Sequence, residues 1–269
     1  MRWLMLVVLC ACGTEITVRT TPTDPPGPDD GTNEDLSPPL AVCQAQPGIT
    51  TPLTPVDWVG ETSYDPDNNA LINYRWTLAT QPDGSVAELP SGQANVRAFV
   101  PDVAGTYVAT LVVTDSVGKT SEVCAADLSA VPAHALWVEA WWELPGDDFD
   151  LHLVRGDDRD PPARDDCYVG ACSQDWGTPG DTTDDPELLQ DDVDRVGPET
   201  AAIFAPDDEL YTVWIYDRPQ PFLTADNKVT VRVTLNGASM REVSHVIADE
   251  GRWVQFFQIA WPSGAITEL

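Results

Sequence analysis

The sequence predicts an all-β protein, two β-sandwiches in tandem behind an export signal and a Pro/Asp-rich linker. Three observations carry this. Short runs alternate apolar and polar side chains with the period-two pattern of half-buried strands, as in Ile72–Leu78 and Thr106–Thr114. Turn-forming clusters such as Asp65-Pro-Asp-Asn-Asn, Asp115-Ser-Val-Gly and Asn236-Gly237 punctuate these runs. No helical periodicity competes over 133–269, where the remaining strand-like runs lie.

The chain opens with Met1-Arg-Trp-Leu-Met-Leu-Val-Val-Leu-Cys-Ala-Cys12, one basic residue, an apolar run and a small residue before a cysteine. This is the layout of a secretory signal, and its apolar run is too short to span a bilayer. Leu9-Cys-Ala-Cys12 resembles a lipobox, with Cys10 an unusual occupant of its second position. The match makes 1–12 a lipoprotein signal peptide and Cys12 the lipidated residue. It implies a lipid-anchored protein of the cell envelope, at the outer membrane. Residues 13–40, rich in Pro, Thr, Asp and Gly, hold too little apolar surface to order themselves and are expected to be a disordered stalk.

The 269 residues carry a formal charge of −30 with only 14 Lys and Arg, which argues against a nucleic-acid partner and against anionic lipid surfaces. Membrane attachment is therefore expected through the lipid alone. An apolar content of 42% is enough for real cores. Of six cysteines, Cys10 leaves with the signal and Cys12 takes the lipid, so Cys43, Cys124, Cys167 and Cys172 remain. An even number in an exported chain reads as two disulfides. Three pairings exist, and Cys43–Cys124 with Cys167–Cys172 is the simplest. A zinc site is the alternative, although no Cys-x-x-Cys and no nearby histidine accompanies them.

Residues 41–131 read as about seven short strands over roughly 90 residues, the signature of an immunoglobulin-like sandwich. Cys43 lies before the first strand and Cys124 at the end of the last, so a bridge would tie the two ends together. The run Ser63-Tyr-Asp-Pro-Asp67, Tyr74-Arg-Trp-Thr-Leu78, Gln81-Pro-Asp-Gly-Ser85, Phe99-Val-Pro-Asp102, Gly105-Thr-Tyr107 and Leu111-Val-Val-Thr-Asp-Ser-Val-Gly118 resembles a PKD domain. The subtype is the one whose Trp strand continues into a Pro-x-Gly-Ser loop; the Phe-Gly-Asp-Gly turn of the commoner subtype is absent. The resemblance covers nearly all of 41–131 and implies an extracellular spacer or binding module.

Residues 133–269 hold a second set of strands. In Ala135–Trp142 the residues Leu136, Val138, Ala140 and Trp142 share one face; Glu209–Tyr216, Lys228–Leu235 and Arg252–Trp261 follow, with Asn236-Gly237 as a hairpin turn. The elements Phe149-Asp-Leu-His-Leu153, Asp166-Cys-Tyr168, Asp191-Asp-Val-Asp-Arg-Val-Gly-Pro-Glu199 and Tyr211-Thr-Val213 resemble the uncharacterised β-sandwich domain of YfaP-type bacterial periplasmic proteins. The aromatic that family carries before Gly-Pro-Glu is Val196 here. That resemblance implies a fold more than an activity.

Residues 145–199 contain seventeen acidic side chains against four arginines. Such density calls for solvent or a cation, and Ca²⁺ takes six to eight oxygens, largely carboxylate. Asp148, Asp150, Asp192, Asp194 and Glu199 form the candidate Ca²⁺ set, against the plainer reading of a solvated acidic loop. Asp65, Asp67 and Asp115 form a weaker one, where turn formation suffices. His152 on its strand reads as a packed, hydrogen-bonded residue. His134 and His245 carry no pattern, and Ser116-Val-Gly-Lys119 falls in a turn without companion motifs.

Trp137 and Trp141 fall opposite Leu136 and Val138, and Trp214 and Tyr216 opposite Val213 and Ile215. Exposed, these four would stack on sugars or anchor a protein; the plainer reading is that both faces of each sheet are covered, one by the core and one by the long acidic loop. No catalytic residue is assigned. The expected role is a non-catalytic binding or adhesion module for a carbohydrate or envelope-protein ligand. The alternatives are a structural component of an envelope assembly and a carboxylate-dependent hydrolase.

Overall fold

The structure is a computed structural model that describes residues 37–158, 163–193, 195–219, 225–248 and 250–269. The signal, the lipobox cysteine and most of the stalk, residues 1–36, lie outside the described residues. Ser37 to Leu40 do not continue as a stalk. The Ser37 amide donates to Asp67, Pro39 is buried, and Leu40 bridges Tyr64, so the ordered chain begins before the expected boundary at 41.

The fold is all-β, of the β-sandwich class, with four sheets around two hydrophobic cores. Seven strands build the first pair of sheets: β1 (Gln44–Gln46), β2 (Ile49–Thr50), β3 (Val56–Val59), β4 (Leu71–Thr80), β5 (Asn95–Phe99), β6 (Gly105–Asp115) and β7 (Cys124–Ala130). They form the sheets β1-β3-β5 and β2-β7-β6-β4. Alternation along β6 sends Tyr107, Ala109, Leu111 and Val113 inward, against Trp58, Trp76 and Phe99. The turns are locked by the aspartates that mark them. Asp65 accepts the amides of Asp67 and Asn69, and Asp115 those of Val117 and Lys119. In the weaker candidate set, turn formation thus occupies Oδ1 of Asp65 and of Asp115, and Asp67 accepts the Ser37 amide.

Cys43 and Cys124 are bridged, with Cα atoms 6.0 Å apart. Cys124 opens the last strand instead of closing it, so the bridge connects the start of one sheet to the neighbouring sheet. A closed loop of roughly 80 residues contributes on the order of 4 kcal/mol in the chain-entropy picture.

The second pair of sheets takes β8 (Leu136–Trp142), β9 (Phe149–Arg155), β10 (Asp166–Cys167), β11 (Pro186–Gln190), β12 (Glu199–Ile203), β13 (Leu210–Asp217), β14 (Asn227–Leu235), β15 (Ala238–Ile247), β16 (Trp253–Ala260) and β17 (Ala265–Glu268). The orders are β11-β12-β8-β14-β15 and β10-β9-β13-β16-β17. Leu136, Val138, Ala140 and Trp142 face inward with Val229, Val231 and Val233. They meet Phe149, Leu151, Leu153, Val213 and Ile215 of the other sheet. Asn236 and Gly237 both adopt positive φ, 51° and 75°, which closes the β14–β15 hairpin. The second disulfide joins Cys167 and Cys172. Among the described residues no helix is long and apolar enough to cross a membrane.

β8 is buried on both faces, which accounts for its near-continuous apolar sequence. Its outer face meets the first pair of sheets. There Glu139, 0% exposed, accepts the Ala104 amide at 2.6 Å. Arg232, opposite it on β14, lies 3.7 Å from Glu139 and 2.9 Å from Glu242, donates to the carbonyls of Ala104 and Asp83, and covers the Trp141 ring. Gly84, at φ +84°, backs directly onto the Trp141 indole, where any Cβ would collide.

Candidate functional site

Two groups of side chains sit side by side on β9, and its alternation explains both. Phe149, Leu151 and Leu153 face the core, so Asp150 and His152 face away from it. Register across the sheet sets His152 opposite Trp214, Asp150 opposite Tyr216, and Tyr216 opposite Trp253.

The first group is aromatic. His152, 3% exposed, stacks on Tyr168 with centroids 4.5 Å apart and meets the edge of Trp253 at 4.5 Å. Tyr216 stacks on Trp253 at 4.6 Å. Tyr168, Trp214, Tyr216 and Trp253 are each partly exposed. The imidazole Nδ1 lies 2.9 Å from an Asp166 carboxylate oxygen; a carboxylate only accepts, so Nδ1 carries the hydrogen of that bond. Nε2 has no hydrogen-bond partner among the described residues. The Cys167–Cys172 bridge brackets Tyr168, and Gln174 donates to the carbonyls of Asp166 and Ala171. Together they hold Asp166 and Tyr168 against the histidine. His152 is a packed, hydrogen-bonded residue, as its strand position suggests. A carboxylate-oriented histidine resembles the base of a nucleophilic triad, yet no hydroxyl or thiol among the described residues bonds its free nitrogen.

The second group is acidic. Asp150 (β9), Asp191 (just past β11) and Glu199 (first residue of β12) each offer a carboxylate oxygen, all within 4.8 Å of one another. β10 pairs only with Leu153 and Val154, so the edge of β9 is open at Leu151. Glu199 fills that gap by crossing from the opposite sheet, its Oε2 accepting the Leu151 amide at 2.6 Å. Its Oε1 has no hydrogen-bond partner among the described residues, and the residue is 1% exposed. Burial, reinforced by the charges of Asp191 and Asp150, pushes the Glu199 carboxyl well above the usual carboxylate range. Burial raises Asp150 too, opposed by the Arg218 guanidinium bonded to it at 2.5 Å. Asp192 accepts the Gly197 amide at 2.7 Å, folding the intervening loop back. Gly197 sits at φ +85° with no room for a side chain beside Ala140 and Trp141.

The structure brings Asp150 and Glu199 of the candidate set together and leaves the others apart. Asp148 precedes β9, so strand alternation does not govern it; it is buried, and its carbonyl accepts the Arg218 amide. Asp192 serves its own loop, and Asp194 lies outside the described residues. Asp191, the third member, was not among the sequence candidates.

Of the four candidate ligand aromatics, Trp137 is buried, and Trp141, Trp214 and Tyr216 are partly exposed. Trp137 is 2% exposed, and Trp141 is partly covered by Arg232 and Gly84. Gly84 belongs to the first pair of sheets and Arg232 to β14, and Gly197 of the acidic stretch also packs beside Trp141. Trp214 and Tyr216 remain on the outward face of the other sheet. Sequence reading missed Tyr168 and Trp253, which only tertiary packing and strand register bring to them.

No protein-family model matches this chain, and no curated protein matches it either.

Proposed function

We propose that the chain is an exported, non-catalytic binding protein of the cell envelope, lipid-anchored through Cys12, whose segment 133–269 binds a carbohydrate. In this reading 41–131 is a PKD-like spacer domain and 133–269 a YfaP-like domain that carries the ligand face. The observation that supports it best is the set of partly exposed rings, Trp214, Tyr216, Trp253 and Tyr168, gathered around His152. Aromatic rings stack on the C–H faces of sugars, and nearby carboxylates accept from sugar hydroxyls. The two disulfides agree with an oxidising compartment.

A glycan array followed by titration calorimetry on the mature protein tests the reading. Trp214→Ala and Tyr216→Ala are each expected to weaken a hit at least tenfold, about 1.4 kcal/mol, with little change in melting temperature. A blank array, or hits indifferent to both substitutions, would reject it.

A second reading is favoured by the contact through Glu139 and Arg232, which couples the two pairs of sheets as a rigid spacer would. It makes the protein a structural component of an envelope assembly. Retained assembly after loss of 41–131 would dismiss the need for that segment. Mass spectrometry of the native protein addresses the anchor, where an acylated Cys12 is expected.

A further inference from the structure

We propose that Asp150, Asp191 and Glu199 form a Ca²⁺ site that ties the two sheets of segment 133–269 together at their open edge. Acidic side chains alone do not make a site, and a separate observation singles this group out. Glu199 is 1% exposed, its Oε2 is fixed by the Leu151 amide, its Oε1 has no hydrogen-bond partner among the described residues, and its carboxylate lies with those of Asp150 and Asp191, one oxygen of each within 4.8 Å of the others. A buried carboxylate oxygen left unpaired is costly unless a proton or a cation meets it.

Charge balance favours the cation. Three carboxylates face one guanidinium, that of Arg218, which engages Oδ2 of Asp150. When all three are ionised at least two negative charges remain, since Asp148 also draws on Arg218, and a divalent ion offsets them. The donors are all carboxylate oxygens, which suits a hard cation better than zinc or copper. With Glu199 Oε2 held by Leu151 and Asp150 Oδ2 by Arg218, the three carboxylates leave about four oxygens of the six to eight that Ca²⁺ accepts, and water completes the shell. Asp191 is exposed and gives the ion a route in from solvent. The three ligands come from β9, from the end of β11 and from β12, so the ion would bridge both sheets where β10 stops short. The site stands independently of sugar binding, although Asp150 is the cross-strand neighbour of Tyr216.

The experiment uses the full mature chain, freed of metal by chelation. Tb³⁺ is added under aromatic excitation, then displaced by Ca²⁺, and melting is followed with Ca²⁺, Mg²⁺ or chelator at constant ionic strength. Expected are sensitised Tb³⁺ emission, its loss on adding Ca²⁺, and a rise of several degrees in melting temperature with Ca²⁺. Asp191→Asn alters an exposed residue and should fold normally while losing at least tenfold in Ca²⁺ affinity. Glu199→Gln keeps an acceptor for Leu151 and should melt no lower than the metal-free wild type, without responding to Ca²⁺. Asp208→Asn, an exposed control on another loop, should respond as the wild type does. Absence of any Ca²⁺ response would overturn the site. An equal response to Mg²⁺, or equal responses in Asp191→Asn and Asp208→Asn, would identify general charge screening and overturn it as well.

Discussion

Glu139 shows how one residue can carry a conflict between solvation and position. Burial pushes its carboxyl up to about 7, against the opposing pull of the Ala104 amide and Arg232. A carboxyl with a folded-state pKa above its ordinary value of 4.5 holds its proton more tightly in the folded state. Its contribution to stability is therefore complete below about pH 4.5 and is lost as pH rises through 7. The difference is on the order of 3 kcal/mol at 1.4 kcal/mol per unit. Glu139→Gln keeps an acceptor for Ala104 and removes the charge. It is expected to stabilise the protein by about 1–3 kcal/mol at pH 8 and to change little at pH 4.5. Urea denaturation at the two pH values checks this, and equal effects at both would contradict it.

At the scale of elements, the pairing of β8 with β14 does two tasks at once. Its inner face completes the second core, and its outer face receives the Pro82–Gly84 loop and Ala104 of the first pair of sheets. Arg232 is the pivot, because it serves Glu139, Glu242, two carbonyls and the Trp141 ring together. Arg232→Ala would leave Glu139 buried without a cation. Removing one member of a buried pair costs roughly 3–5 kcal/mol, and here the loss should be larger at pH 8 than at pH 5, where Glu139 carries a proton. Chemical denaturation measures it; a pH-independent loss would show that packing against Trp141, not charge, dominates. The amphipathic signature of β8 was legible in the sequence, and so was its tryptophan-rich second face. Which surface covers that face was not, since the residues that meet it, such as Ala104, Gly84 and Arg232, lie far away in the chain.

For the molecule as a whole, a formal charge of −30 is the dominant electrostatic fact. Dense like charge opposes compactness. Two buried carboxyls add to this: Glu139, and Asp217, which burial and the charges of Asp147, Glu250 and Asp148 also push up to about 7. Each binds its proton more strongly when folded, so both contributions fade as pH rises from about 4 to 7. The metal-free protein is expected to melt several degrees higher at pH 5.5 than at pH 8, and added salt should narrow the gap by screening. A melting temperature that falls steadily on acidification over this range would show that native carboxylate pairs outweigh these buried acids.

The sequence by itself determined what is local. Alternation defined the main strands, Asp65, Asp115 and Asn236-Gly237 defined turns, and the cysteine count and order suggested the two bridges that form. Each of these depends on neighbours a few residues apart, or on only four cysteines to pair. Tertiary structure alone decided the candidate site. Asp191 stands with Asp150 and Glu199 while Asp192 folds back onto Gly197, Glu199 reaches Leu151 because β10 ends early, and Glu139 is buried where Ala104 of another pair of sheets meets it. These outcomes turn on strand order and on how far each pairing runs. A period-two pattern leaves both open, since it tells which side a residue faces but not what stands opposite.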